Sequence, residues 1–254
     1  MRKTVAIATL LVAAGCSGTK STSSAASSTL TVFAASSLTA AFNRIGTDFT
    51  AANPGITVTF NFGSSTDLAS QIQSEGTADV FASASGTAMD AVASDPGVTD
   101  RTDFATNRLV IITPPDDPAG ISTIADLAKP GVQLVLAAKG VPVGDYARQA
   151  LTSAGLLSEA MQNVVSNEDD DASVVAKITS GEADAGIVYA SDVATAGNTV
   201  RSVTIPTAVN VVASYPIAVV TGSTQTEAAT SFLNEVSGPT GLTTLKAYGF
   251  GPGR

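Results

Sequence analysis

The stretch Val32-Phe33-Ala34-Ala35-Ser36-Ser37-Leu38 decides how this chain is read. An apolar run over residues 30–35 stops abruptly at two serines, and a helical pattern then continues from Leu38 through Ala41, Phe42 and Ile45. Ser37 is thus expected where a buried strand hands over to a helix, the position of an N-cap. The first amides of a helix have no partner within it. With a hydroxyl beside them they form a small site for a negatively charged oxygen. A lone junction of this kind more often only caps its own helix. Here a second stands downstream: Phe62-Gly63-Ser64-Ser65-Thr66-Asp67-Leu68 follows the alternating strand 56–60 and leads into a helical run at 68–72.

Working outward, the pattern continues as alternating strands and helices. After a helix over about 38–52 and the stop Asn53-Pro54-Gly55, short strands are expected at 79–82 and 104–113, with a helix at 87–93 between them. Pro114-Pro115-Asp116-Asp117-Pro118 closes the strong strand Leu109-Val110-Ile111-Ile112. A second series follows: a short helix at 124–128, a strand at 133–137, helices at about 144–154 and 172–180, and a strand at 186–189. Strands at 209–212 and 217–220 bracket a return, and helices near 227–236 and 238–248 pack back on the first part. Strands alternating with helices imply an α/β fold with parallel sheets. Ligands in such sheets lie at the carboxyl ends of strands, where both serine junctions fall. The expected organisation is two lobes, 29–107 with 214–254 and 108–213, the chain crossing near Arg108 and near Ser214.

Composition removes whole classes of function. At 254 residues the chain is long enough for two small lobes, and 44% apolar against 14% charged residues marks it as globular. It contains no histidine, no tryptophan and a single cysteine, Cys16. Ser-His-Asp and Cys-His catalysis and the usual His/Cys zinc sites are therefore excluded. The net charge of −9 becomes more negative once Arg2 and Lys3 leave with the leader. Such a surface repels nucleic acid, and any anionic ligand must be held by local donors.

Met1-Arg2-Lys3, the apolar residues 5–14 and Ala13-Ala14-Gly15-Cys16 have the layout of a signal peptide. Ten apolar residues are too few to span a bilayer, which takes about 20. The small residues before Cys16 resemble a bacterial lipobox, although a leucine usually stands at the place of Ala13. Residues 1–16 are accordingly expected to be a leader ending at a lipidated Cys16, with the Ser, Thr, Ala and Gly-rich residues 17–28 as a flexible tether.

Six stretches in order carry a resemblance: Val32 to Leu38, Phe62-Gly63-Ser64-Ser65, Ala78-Asp79-Val80-Phe81-Ala82-Ser83-Ala84, Val141-Pro142-Val143-Gly144, Gly186-Ile187-Val188-Tyr189-Ala190-Ser191-Asp192, and Tyr215-Pro216-Ile217-Ala218-Val219-Val220. With them the chain resembles the periplasmic molybdate-binding proteins of ABC importers over essentially its whole mature body. The resemblance implies a type II periplasmic-binding-protein fold, in which an oxyanion lies between two closing lobes, held by hydroxyls and amides without a cationic side chain. It implies molybdate or tungstate as ligand, a permease as partner, a monomer anchored to the outer face of the membrane, and no enzyme activity or cofactor. Carried over by position, the ligand groups are the hydroxyls of Ser37, Ser65 and Tyr189 and the amides of Val143 and Asp171.

Two positions depart from the family pattern. Glu168-Asp169-Asp170-Asp171 puts an acid where a neutral residue is usual, and Ala137-Ala138-Lys139-Gly140 stands where relatives often carry Asp-Pro. An Asp171 carboxylate turned inward would repel a bare dianion and suit phosphate, which keeps a proton at neutral pH. Turned outward, Asp171 or Asp170 merely caps the next helix. An EF-hand reading fails, with Val174 where glycine is needed and Ser180 where glutamate is. The alternatives are therefore a receptor of the same fold for phosphate or sulfate and, remotely, a Ser-Lys hydrolase pairing Ser37 or Ser65 with Lys139, which no Ser-x-x-Lys spacing supports.

Overall fold

The structure, a computed structural model, describes residues 28–253. The leader, Cys16 and the tether up to residue 27 lie outside the described residues. No helix among the described residues is long and apolar enough to cross a membrane.

The chain begins with β1 (Ser28–Ala35), α1 (Thr39–Ala52), β2 (Ile56–Gly63), α2 (Ser65–Glu75), β3 (Val80–Ala82) and α3 (Gly86–Ser94). The 16-residue β4 (Val98–Thr113) follows, then β5 (Leu134–Ala137), α4 (Pro142–Ser153), α5 (Leu157–Gln162), β6 (Val164–Glu168) and α6 (Asp171–Thr179). The remainder comprises β7 (Ala185–Tyr189), α7 (Ala190–Ala196), β8 (Arg201–Thr204), β9 (Val212–Val220), α8 (Thr226–Ser237), α9 (Pro239–Ala247) and β10 (Gly251–Pro252). The strands join in the order β2-β1-β3-β9-β4-β7-β5-β6, with β8 and β10 also on β4. β1 pairs parallel with β2 and β3, and β5 pairs parallel with β6 and β7. The antiparallel ladders all involve β4 or β9.

β4 links two half-sheets. Its residues from Val98 to Arg108 pair with β9, whereas Leu109 to Ile112 pair with β7. The period-2 rule then sorts the β1 side chains: Leu30, Val32 and Ala34 join the large core with Phe42, Phe49 and Phe232, whereas Phe33 joins Leu68, Ile72, Phe81 and Met89 on the other face. The first half-sheet is thus covered on both faces, which is why its strands read as continuous apolar runs. The C-terminal helices pack on α1, where Phe232 meets Phe42 and Phe49 edge-on at 6.0 and 5.4 Å between ring centres.

Three expectations need correction. Ser37 is not an N-cap: a 3-10 turn, Ser36–Leu38, intervenes between β1 and α1, and α1 starts at Thr39. No strand forms at 209–211, because Val209 and Asn210 fold back to donate to the Pro206 carbonyl at 3.0 and 2.9 Å. The return strand instead runs unbroken from Val212 to Val220, through Pro216. That proline is tolerated because its partner Asp103 borders a register shift in the β4–β9 ladder, where a missing donor breaks no regular bond. Helices α5 and α7 and strands β8 and β10 were not expected; each is seven residues or shorter, too brief to show a period.

Candidate functional site

The carboxyl ends of the parallel strands converge on one cavity of about 10 Å3. Ala35 and Ser36 come from the end of β1, Gly63, Ser64 and Ser65 from the β2–α2 junction, and Ala84 follows β3. Val141, Pro142 and Val143 at the start of α4, Asp171 at the start of α6 and Tyr189 at the end of β7 complete the wall. It is far smaller than pockets for organic ligands, which typically run to about 300 Å3 or more.

Three helix starts face this cavity. The residues before α2 and α4, Ser64 and Val141, make no side-chain cap, so the amides of those first turns are open to another acceptor. Pro142 at the first position of α4 has no amide to lose and leaves Val143 to present the first one. α6 differs, since Asp170 caps it and accepts from the Ser173 amide at 2.8 Å. Gly144 lets α4 approach the end of β5: a methyl group there would lie 2.3 Å from the Ala138 carbonyl oxygen and 2.4 Å from that of Ala137.

Hydrogen bonding singles out this cavity. Among the described residues, four buried side-chain polar atoms have no partner, and three of them, Ser64 Oγ, Tyr189 Oη and Asp171 Oδ2, belong to residues of its wall. Buried polar atoms are seldom left unpaired, and each costs roughly 1–3 kcal/mol when it is. Ser65 Oγ accepts from the Ala84 amide at 2.9 Å, which leaves its proton to donate. Burial holds the Tyr189 hydroxyl well above its ordinary pKa, with Tyr215 and Asp171 adding to the effect, so it remains a neutral donor. No lysine or arginine lines the cavity, and Lys139 is exposed to solvent.

Of the residues expected from sequence, Ser65, Val143, Asp171 and Tyr189 lie together on this wall, and Ser37 does not. The Ser37 hydroxyl is bonded at 2.9 Å to the hydroxyl of Tyr215, itself buried beside Asn107 and Ser191. Its neighbour Ser36 lines the cavity instead and donates to Asp171 Oδ1. Sequence reasoning missed Ser36, which adjoins the serine it chose, and offered Ser64 only as an alternative to Ser65; a one-residue offset at a strand end turns a side chain to the other face.

Asp171 is turned inward. It is 4% exposed, and its carboxyl lies within hydrogen-bond reach of that of Asp192, also buried. Burial raises both carboxyl pKa values, and Asp192 is pushed up further by the neighbouring Asp171. The Ser36 bond opposes the rise at Asp171, and the Tyr189 amide, donating to Asp192 Oδ2 at 2.8 Å, opposes it at Asp192.

A wider cleft opens between α2, α3 and α4. Thr66 Oγ1 spans its edge to donate to the Gly140 carbonyl at 2.7 Å. None of the unpaired buried atoms among the described residues belongs to its wall. Among the described residues no group of three acidic, cysteine or histidine side chains is placed to hold a metal ion.

Residues 30–251 match the family described as bacterial extracellular solute-binding protein. The molybdate-binding protein ModA of Mycobacterium tuberculosis is 39% identical over 222 residues, 87% of this chain and 84% of that protein. The periplasmic molybdate-binding protein of Azotobacter vinelandii superposes with a TM-score of 0.78 at 20% identity, covering 89% of this chain and all of that one. The sulfate-binding protein SubI of Mycobacterium tuberculosis superposes at 0.75 and 18% identity, over 89% and 87% of the two chains. The chain belongs to the bacterial extracellular solute-binding protein family and is, within it, a homologue of ModA with the type II periplasmic-binding-protein fold.

Proposed function

We propose that this protein captures molybdate, and tungstate with it, in the small cavity and delivers it to an ABC permease. The observation that carries the reading is the convergence of unpaired buried polar groups and two uncapped helix starts on a small cavity without a cation. A dianion that carries no proton needs donors only, and hydroxyls and amides supply them without a buried charge. The ModA relative at 39% identity supports molybdate as the cargo.

In this reading the donors are the hydroxyls of Ser65 and Tyr189 and the amides of Val143 and Asp171, joined by Ser36 and Ser64. Ser37 holds Tyr215 in place. Residues 29–107 with 214–254 form one lobe and 108–213 the other, hinged where β4 exchanges β9 for β7. Cys16 carries a lipid that anchors the chain to the outer face of the membrane.

The inward Asp171 favours a second reading, a receptor for hydrogen phosphate, whose own proton would bond Asp171. Calorimetric titration of residues 28–254 with molybdate, tungstate, sulfate and phosphate separates the two. Tight binding of molybdate and tungstate with phosphate silent supports the first reading, and binding of phosphate alone overturns it.

A further inference from the structure

The Asp171–Asp192 pair is an anomaly in a receptor for a dianion, and its surroundings give it a task. Asp171 stands between two spaces: it lines the anion cavity on one side and, on the other, a cleft that also reaches Asp192, Ser36 and Thr195. Its Oδ1 accepts from Ser36, and its buried Oδ2 has no donor. A bare carboxylate there would repel any anion in the cavity. A carboxylic acid would instead be one more donor.

Resting on the molybdate reading, we propose that the Asp171–Asp192 pair takes up a proton when a fully deprotonated dianion binds, so that Asp171 meets the anion as a neutral O–H donor. In the empty site two adjacent buried carboxyls share one proton, because a second negative charge so close is disfavoured. The pair then carries a single negative charge. The arriving dianion adds negative charge beside Asp171, and the pair takes up a proton from solvent in the cleft that both residues line. The pair becomes neutral, and the loaded cavity holds only the charge of its cargo.

No positive group competes for this role. The groups that bear on the pair are Asp170 at the head of α6, Tyr189 on β7 and Tyr215 on β9, none of them cationic. On the other elements packed against α6, Glu168 of β6 is occupied by Ser166, Asp103 of β4 by Ser214, and Arg108 of β4 is exposed. Lys177, further along α6, is paired with Glu182 at 2.5 Å.

The test is molybdate titration of residues 28–254 from pH 6 to 9, in buffers of different ionisation enthalpy. The expected result is uptake of up to about one proton per anion, with affinity weakening by up to about tenfold per pH unit between the titration of the pair without anion and that of the loaded pair. Asp171→Asn should abolish both the uptake and the pH slope. Should that variant fail to fold, the proton count of the unaltered protein decides alone. Binding with buffer-independent heat and a flat pH profile would overturn the proton coupling and leave the molybdate reading standing. Silence towards molybdate at every pH would overturn both. An affinity that follows the identity of the monovalent cation and ignores pH would assign the pair to a metal ion and reject the proton.

Discussion

At the scale of single residues, Tyr189 gives the sharpest prediction. Its hydroxyl is buried and has no partner among the described residues. Removing it should therefore leave folding stability unchanged or slightly higher, while binding loses a hydrogen bond to a charged ligand, worth about 1.5–3 kcal/mol. Tyr189→Phe is expected to weaken molybdate binding about tenfold to a hundredfold with no fall in melting temperature, read by calorimetry and a thermal scan. A hydroxyl that only served the core would show the reverse. Tyr189, Ser65 and Val143 were found from sequence because a strand end, a hydroxyl-rich junction and a Val-Pro-Val-Gly turn leave local traces. The choice of Ser36 over Ser37 leaves none, since it depends on a 3-10 turn that packing imposes. The inward turn of Asp171 was equally illegible: its partners, Ser36 and Asp192, lie far from it in the chain.

Asp192 makes a prediction about pH and stability. Burial raises the folded-state pKa of both carboxyls above the ordinary 3.8, so over that range the folded chain binds more protons than the unfolded one. Stability must then fall as pH rises from about 4 towards the folded-state values. Asp192→Asn keeps an oxygen for the Tyr189 amide and removes one of the two charges. It should flatten that decline, so that its melting temperature exceeds that of the unaltered protein by more at pH 8 than at pH 4.

At the scale of elements, the site depends on how closely helices start against strand ends. Gly144 sits in the first turn of α4 with two carbonyl oxygens where a side chain would begin. Gly144→Ala forces α4 away from β5 and should cost about 1–3 kcal/mol. That corresponds to a few degrees of melting temperature per kcal/mol for a chain of this size. Because the Val143 amide moves with the helix, anion affinity should drop in the same variant, as titration of the folded protein will show. Most of these elements were legible from periodicity and from stops such as Asn53-Pro54-Gly55. The exception at 209–212 shows the limit, for apolar composition there promised a strand and the Pro206 turn took the backbone bonds.

At the scale of the whole molecule, the lobes proposed here touch beside the cavity through few polar contacts. The bond from Thr66 on α2 to the Gly140 carbonyl just ahead of α4 is one of them, at an exposed edge. Thr66→Val preserves shape and deletes the bond, whose net worth is about 0.5–1.5 kcal/mol. Anion release should accelerate by about two- to tenfold while the association rate stays nearly constant, as measured by stopped-flow tyrosine fluorescence. Equal changes in both rates would mean that Thr66 does not fasten a closed state.

The place of β9 in the sheet also bears on how the chain is made. It lies between β3 and β4 in space, yet it spans Val212–Val220, after every strand of the second half-sheet has been synthesised. The N-terminal portion leaves the ribosome with its sheet missing an interior strand, and cannot close that gap until most of the polypeptide has emerged. A chain built in this order keeps its amino-terminal half from locking into a finished shape early.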